Sequence, residues 1–381
     1  MALRRSQRDI DVCLLADGID ARTIGGVSRW ANGLAAHLPG LELAMAPSSG
    51  ELPAARVYHA LTPAAAARAG RAVRATGRPL LLTCHAMSDA WRPEGLASFA
   101  LDSSHGGGGG GKDYDHDKDS KDDDWQDGDD HDSGKGNDKG GKGYLALERR
   151  GYAAADLIGA VSLAVASSHA AAGAPGDRML VIPNGAPFAS APSTLSDPLV
   201  GFVGRIAPVK GLPRLLRAMQ LVRISRPDAR LIVVGPFEGS PAYRQRVRRL
   251  ARQPGLHGAV RFVGPSRPEQ WYPRLACLAM ASETEGMPLA LLEAMAHGVP
   301  CVAPDVGGVR EALGGAGVIV APRAVHELAA GILRVLDDAA GAARLAAAGR
   351  VRAASWTTAD AAAAYGALYS QLGVPCRTSS S

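Results

Sequence analysis

The sequence predicts an α/β protein built of two doubly wound domains that face one another across a cleft. Three observations carry this. The chain has 381 residues, 46% of them apolar, which at roughly 150 residues per domain is enough for two separate cores. Short apolar runs alternate with stretches of helical periodicity in both halves, the pattern of parallel sheets covered by helices. Between the two sets lies a Pro/Ser-rich stretch, Pro187 to Pro198, which reads as a hinge.

Taken in order, Ile10 to Ala16 reads as a buried strand. After a glycine-bearing loop, Val27, Trp30, Ala31, Leu34, Ala35 and Leu38 recur at helical spacing. Val57 to Ala60 and Pro79 to Thr83 are further short strands. Residues 102–143 then break the pattern with six consecutive glycines, 13 Asp and 6 Lys. With no apolar periodicity to repay the entropy of ordering, this segment is expected to be a disordered insertion. Asp113, Asp115 and Asp117 alternate as in a calcium loop. The sixth position is Lys118 instead of glycine, however, and the twelfth is Asp124 instead of glutamate, so a disordered linker is the first expectation there and weak divalent-cation binding the second. Leu157 to Val161 and Met179 to Ile182 complete the first set. The second set comprises Leu199 to Val203, Arg230 to Val234, Val260 to Val263, Cys277 to Ala281, Cys301 to Ala303 and Val318 to Val320. Helices at Leu212 to Ile224 and Leu289 to His297 lie between them. The expected division is 1–190, 191–355 and a C-terminal helix with its tail, 356–381.

Charge and cysteine content narrow the class. The net charge is +5, but residues 102–143 carry −7, leaving +12 on the other 339 residues. That body uses 35 arginines and a single lysine, Lys210. Such a balance attracts anionic substrates, nucleic acid or an acidic membrane face, or merely reflects a compositional preference for arginine. No interleaving of aromatic and basic residues marks a nucleic-acid reader, so nucleic acid is not an expected partner. Cys13, Cys84, Cys277, Cys301 and Cys376 are too scattered for a disulfide framework or a metal site and read as buried thiols of a reducing compartment. The first residues lack the apolar stretch of a signal peptide, and nowhere do about 18 apolar residues run together. A cytoplasmic protein is expected.

Three stretches carry chemistry. The loop Asp17 to Gly26 ends in Gly25-Gly26 at the mouth of a helix, where backbone amides and the helix field suit an anion. Its spacing is not that of a dinucleotide fingerprint. In Gly201-Phe-Val-Gly204-Arg205-Ile-Ala-Pro-Val-Lys210-Gly211 a strand ends in glycine, then an arginine and a lysine flank the start of a new helix. Two fixed cations beside a helix N-terminus suit a diphosphate. In Ser282-Glu-Thr-Glu285-Gly286-Met287-Pro288-Leu289-Ala-Leu-Leu-Glu293 two carboxylates stand eight residues apart around a turn and a helix start. A carboxylate accepts two hydroxyl donors, which makes each a natural ribose or sugar ligand. Glu293 sits among Leu291, Leu292, Ala294 and Met295, and a buried glutamate needs a partner.

This combination, with Val181-Ile-Pro-Asn184-Gly185 before it, resembles the retaining glycosyltransferases of family 4 over Leu199 to about Leu336. Trp356 to Leu372 resembles that family's closing helix, which crosses back to the first domain. Ile24 to Trp30 and Thr76 to His85 look most like the PelF group of Pel exopolysaccharide glycosyltransferases. The resemblance implies the GT-B fold of two Rossmann-like domains. It also implies transfer of a hexosyl unit from a nucleotide sugar, a UDP-sugar first among the candidates, to a glycan or polysaccharide acceptor with retention and without a metal. The setting implied is exopolysaccharide assembly on the cytoplasmic side, with peripheral contact to an inner-membrane synthase complex. His85, Arg205, Lys210 and Glu285 are then the catalytic residues. Gly25, Gly26, Gly204, Gly264, Pro265, Gly286, Met287, Pro288, Leu289 and Glu293 bind the donor. Arg205 and Lys210 clamp the diphosphate with the Gly26 amide, Glu293 takes the ribose, and Glu285 with the Gly286–Pro288 turn holds the sugar. The loop Gly264 to Arg267 carries the base. Two departures stand out: Cys84 precedes His85 where the group has glutamate, and the insertion falls where the acceptor side is built. The competing expectation is a catalytically silent nucleotide-sugar-binding subunit that scaffolds a polysaccharide synthase.

Overall fold

Two parallel six-stranded sheets, one from each half of the chain, carry the fold. The structure, a computed structural model, describes residues 10–16, 26–38, 40–88, 139–186 and 197–375. The first unit runs β1 (Ile10–Leu15), α1 (Gly26–His37), β2 (Leu43–Ala46), β3 (Ala55–Ala60), α2 (Pro63–Thr76), β4 (Leu80–Cys84), α3 (Lys139–Ala154), β5 (Leu157–Ala160), α4 (Leu163–Ala171) and β6 (Met179–Val181). The second runs β7 (Leu199–Val203), α5 (Leu212–Ser225), β8 (Arg230–Val234), α6 (Pro241–Ala251), β9 (Val260–Gly264), β10 (Cys277–Ala279), α7 (Leu289–Ala296), β11 (Cys301–Pro304), α8 (Val309–Leu313), β12 (Val318–Val320), α9 (Val325–Asp337) and α10 (Ala339–Ala354). The closing helix, α11 (Thr358–Gln371), packs on α1 of the first unit.

The sheet orders are β2-β1-β3-β4-β5-β6 and β12-β11-β10-β7-β8-β9. Both are doubly wound, and each reverses direction once, beside β1 in the first sheet and between β7 and β10 in the second. Ligands of such sheets sit outside the carboxyl ends of the strands at that reversal. Strands such as β4 (LLLTC) are buried along their whole length, because helices cover both faces. Helix starts are set locally. Thr62 and Ser162 accept from the amides of Ala65 and Val165, and Thr357 with Asp360 forms a reciprocal capping box at the start of α11. One face of the first sheet packs on Trp30, Leu34, Tyr365 and Tyr369 of α1 and α11, and the opposite face on α2 and α3.

Two expectations are corrected. The strand β2 was not anticipated: its four residues, LAMA, are apolar but include no β-branched or aromatic side chain, so nothing marks the run as a strand. The insertion was expected to extend to residue 143, but α3 begins at Lys139 and runs unbroken through the buried Tyr152 to Ala154. Residues 102–138, Gly25, Cys376 and positions 187–196 of the expected hinge lie outside the described residues. The other four cysteines are buried, and burial pushes the Cys13 thiol up to about 11 and that of Cys277 to about 12.

Candidate active site

A cavity of about 480 Å³ opens between the units, lined by residues that follow the carboxyl ends of strands in both sheets. Val27 to Trp30 come from the start of α1, His85 from the end of β4 and Asn184 from beyond β6. Gly204, Arg205, Lys210, Glu285, Gly286, Met287, Pro288 and Leu289 come from the second unit. It thus brings together His85, Arg205, Lys210 and Glu285 with five of the expected donor-binding positions. Gly26 is the first residue of α1, directly before the lining residue Val27.

Backbone geometry holds the two charged loops together. Lys210 ends a short 3-10 turn, Pro208–Lys210, and Gly211 follows with φ of 63°. A Cβ on Gly211 would come within 1.9 Å of the Ala281 carbonyl, so only glycine lets the two loops approach. The Glu283 amide donates to the Val209 carbonyl at 2.8 Å across the same junction. Lys210 Nζ consequently meets Glu285 Oε1 at 2.6 Å, and Ser282 Oγ donates to that oxygen at 2.7 Å. Arg205 is more exposed and pairs with Glu238 at 2.6 Å. Here the structure adds to the sequence reading, which treated the cations and the carboxylate as separate parts.

The turn before α7 is gripped by the first unit. Ser162 Oγ donates to the Gly286 carbonyl at 2.9 Å and Asn184 Nδ2 to the Met287 carbonyl at 2.9 Å. A Cβ on Gly286 would lie 2.1 Å from the carbonyl of His85. Pro288 caps α7 without a side-chain hydrogen bond, so the first amides of the helix are left for an anion. His85 itself stands edge-on to Trp30, ring centroids 4.7 Å apart, with Nε2 buried and unpartnered. Burial pushes its imidazole down to about 4, so it is a neutral ring at neutral pH.

Glu293 lies one step away, in the wall of a second cavity of about 460 Å³ that shares Arg29, Trp30 and Leu289 with the first. Its Oε2 accepts from Arg29 Nη1 at 2.8 Å and from the Tyr272 hydroxyl at 2.6 Å. Burial raises the Glu293 carboxyl above the usual range, while the Arg29 charge opposes that rise. The partner that a buried glutamate requires is therefore an arginine from the other unit. Gly264 and Pro265 line neither cavity; the next residues of that loop, Ser266 and Arg267, line the second. Sequence reasoning passed over Arg29, Tyr272, Glu238 and Ser282 as functional residues. Arg29 carried one legible sign, a basic residue one turn into a helix that begins with glycine. Tyr272 carried none, because it sits in a 3-10 turn whose position only tertiary packing defines.

Comparison with known proteins agrees with this architecture. Residues 2–185 match the family model "Glycosyl transferase 4-like domain" and residues 197–338 match "Glycosyl transferases group 1". A D-inositol 3-phosphate glycosyltransferase of Streptomyces scabiei is 36% identical over 179 residues, 43% of this chain and 39% of the relative. A GDP-mannose-dependent monoacylated alpha-(1-6)-phosphatidylinositol monomannoside mannosyltransferase of Corynebacterium glutamicum is 34% identical over 176 residues, 43% of this chain and 45% of the relative. These alignments span less than half the length of either relative. Among solved structures, Anabaena HepE in complex with UDP and glucose superposes with a TM-score of 0.72 at 18% identity, over 95% of this chain and 99% of that one. The sucrose-phosphate synthase of Thermosynechococcus elongatus gives 0.72 at 20% identity, over 95% and 99%. The chain is thus composed of a glycosyltransferase 4-like domain followed by a glycosyltransferase group 1 domain, on the two-unit α/β fold of the GT-B glycosyltransferases.

Proposed function

We propose that the protein is a retaining glycosyltransferase that moves a hexosyl unit from a nucleotide sugar, most simply a UDP-hexose, to a glycan or polysaccharide acceptor. The observation that carries the reading is the meeting of Lys210, Glu285 and the uncapped start of α7 in one cavity that His85 closes from the other unit. Breaking a glycosyl–phosphate bond develops negative charge on the leaving diphosphate and oxocarbenium character on the sugar. Arg205, Lys210 and the amides of the Gly286–Leu289 turn supply fixed positive charge to the first, so the reading calls on no metal. Glu285, held by Lys210 and Ser282, faces the sugar, and Glu293 takes the ribose hydroxyls. A neutral His85 suits a role as hydrogen-bond partner of a sugar hydroxyl and not as a fixed cation. An acceptor hydroxyl attacking from the leaving-group face passes its proton to a phosphate oxygen, which retains configuration with no carboxylate nucleophile.

Support for a UDP-sugar comes from fold neighbours solved with UDP, UDP with glucose, and UDP-glucose. An exopolysaccharide setting draws on sequence resemblance and on a Streptomyces coelicolor relative named as an exopolysaccharide phosphotransferase. The test is a thermal-shift panel of UDP-, GDP- and ADP-sugars followed by turnover assays. The matching donor raises the melting temperature by mass action. Lys210→Ala should then lower turnover on the order of 10²–10³-fold, as loss of one transition-state donor does. Turnover unchanged in that variant rejects the mechanism. Donor binding with no turnover or hydrolysis on any acceptor points instead to a catalytically silent scaffold.

A further inference from the structure

The contact that links the two cavities is made across the units. Arg29 projects from α1, and Glu293 belongs to α7 of the other sheet. The arginine lines both cavities, while its Nη1 holds Glu293 Oε2 at 2.8 Å. Side-chain exposure is 25% for Arg29 and 4% for Glu293, so the carboxylate is the group removed from water. The Tyr272 hydroxyl is bonded to the same Oε2, and neither hydrogen bond uses Oε1.

We propose that Arg29 is a positioning residue for the donor nucleoside: reaching over from the first unit, it keeps Glu293 a carboxylate and leaves Oε1 for the ribose hydroxyls. The proposal rests on the reading of Glu293 as the ribose ligand. An ionised carboxylate accepts from both hydroxyls of a diol, whereas a protonated one must donate with one of its oxygens. A buried carboxylate deprived of its cation takes up a proton instead of staying charged. Among the described residues, nothing else bonded to Glu293 supplies positive charge. Tyr272 is neutral, its phenol pushed well up by burial and then by Glu293. Glu269, in the same cavity wall, adds repulsion. Arg267 also lines that cavity but makes no ion pair with Glu293. His297 of the same helical segment bonds the Glu293 backbone carbonyl through Nδ1. On the other elements packed against α7, Arg310 pairs with Asp305, Glu311 accepts from the Leu163 amide, and Arg350 lies beside Gly298. The nucleoside subsite of the second unit is therefore completed by the first.

The experiment is calorimetric titration of the full chain with UDP across pH, on the unsubstituted protein and on Arg29→Gln, Arg29→Lys and Glu293→Gln, with circular dichroism to confirm folding. The unsubstituted protein and Arg29→Lys are expected to share one pH profile between pH 6 and pH 8, set by the ionisation of the terminal phosphate of UDP. Relative to that profile, Arg29→Gln is expected to lose about tenfold more affinity between pH 8 and pH 6, one unit of proton competition. Glu293→Gln is expected to bind weakly and without that additional loss. Infrared difference spectra provide a second readout without nucleotide: Arg29→Gln should show a protonated carboxyl band at pH 7 that the Arg29→Gln/Glu293→Gln double variant lacks. An Arg29→Gln profile parallel to that of the unsubstituted protein, or absence of the band, overturns the proposal. No binding of UDP, GDP or ADP by the unsubstituted protein overturns the ribose reading, and the infrared result then still decides whether Arg29 holds the charge of Glu293.

Discussion

Gly286 shows how much a single position can govern in this fold. It lies in the turn whose carbonyls are held by Ser162 and Asn184, and a Cβ there would meet the His85 carbonyl at 2.1 Å. That contact is backbone against backbone, so no side-chain rotamer relieves it. Gly286→Ala must displace either the His85 strand end or the turn that delivers Glu285 and the first amides of α7. Positioning errors of about 1 Å cost on the order of 10²-fold in rate. We therefore expect Gly286→Ala to lose turnover by about that factor, with a urea midpoint lowered by the displacement but a native circular dichroism spectrum in the absence of urea. Turnover within twofold of the unsubstituted protein would show that the turn does not set the geometry. Residue type and spacing made Lys210 and Glu285 stand out in the sequence, each in a glycine-bearing loop after a strand, and Glu293 as a carboxylate among the apolar residues of a helix. Their partners were not legible. Arg29 is 264 positions from Glu293, and Lys210 is 75 from Glu285, so no local pattern records either pairing.

At the scale of elements, strands were readable where β-branched residues or a long apolar run mark them, as in β4 and β8, and failed at β2, whose LAMA has no β-branched or aromatic residue. The closing helix α11 was expected through the resemblance of Trp356 to Leu372, and so was its crossing back to the first domain; the Thr357/Asp360 capping box and the contacts it makes there were not read. The helix places Tyr365 and Tyr369 against the first sheet in a buried polar network. The Tyr369 hydroxyl lies 2.8 Å from His59 Nδ1, His59 Nε2 lies 2.7 Å from Thr83 Oγ1, and Thr83 donates to the Tyr365 hydroxyl at 3.2 Å. Since Thr83 spends its proton on Tyr365, His59 donates through Nε2 and accepts at Nδ1 from Tyr369. Tyr369→Phe strips a buried acceptor of its donor. Such a loss costs about 1–3 kcal/mol. Equilibrium unfolding in urea should show a lowered midpoint with an unchanged slope, and a midpoint equal to that of the unsubstituted protein would mean the network contributes nothing.

For the whole molecule, the same network ties the C-terminal helix to the sheet that begins the chain, and it gives the fold a pH limit. His59 is held neutral, pushed well below its ordinary value by burial and then by the neighbouring His85, whose own imidazole burial lowers to about 4. In the unfolded chain a histidine titrates at about 6.5. Above that pH neither state binds the proton, and the network contributes its full stability. Below it the unfolded chain takes up protons that the folded protein refuses, so stability falls as the pH drops. Each such histidine contributes a slope of about 1.4 kcal/mol per pH unit. For His85 the fall ends near 4, where the folded protein accepts the proton too. The lowered carboxyls of Asp228 and Asp360 act in the same direction, but only at the acid end of this window. Urea midpoints recorded from pH 8 to pH 5 should therefore be level at first and then decline below about pH 6.5. His59→Gln starts from lower stability, having disturbed the network, yet its decline between pH 6 and pH 5 should be shallower by about 1.4 kcal/mol per unit. A slope in that variant equal to the slope of the unsubstituted protein would show that His59 already carries a proton in the folded state, and that α11 is held to the first sheet by some other means.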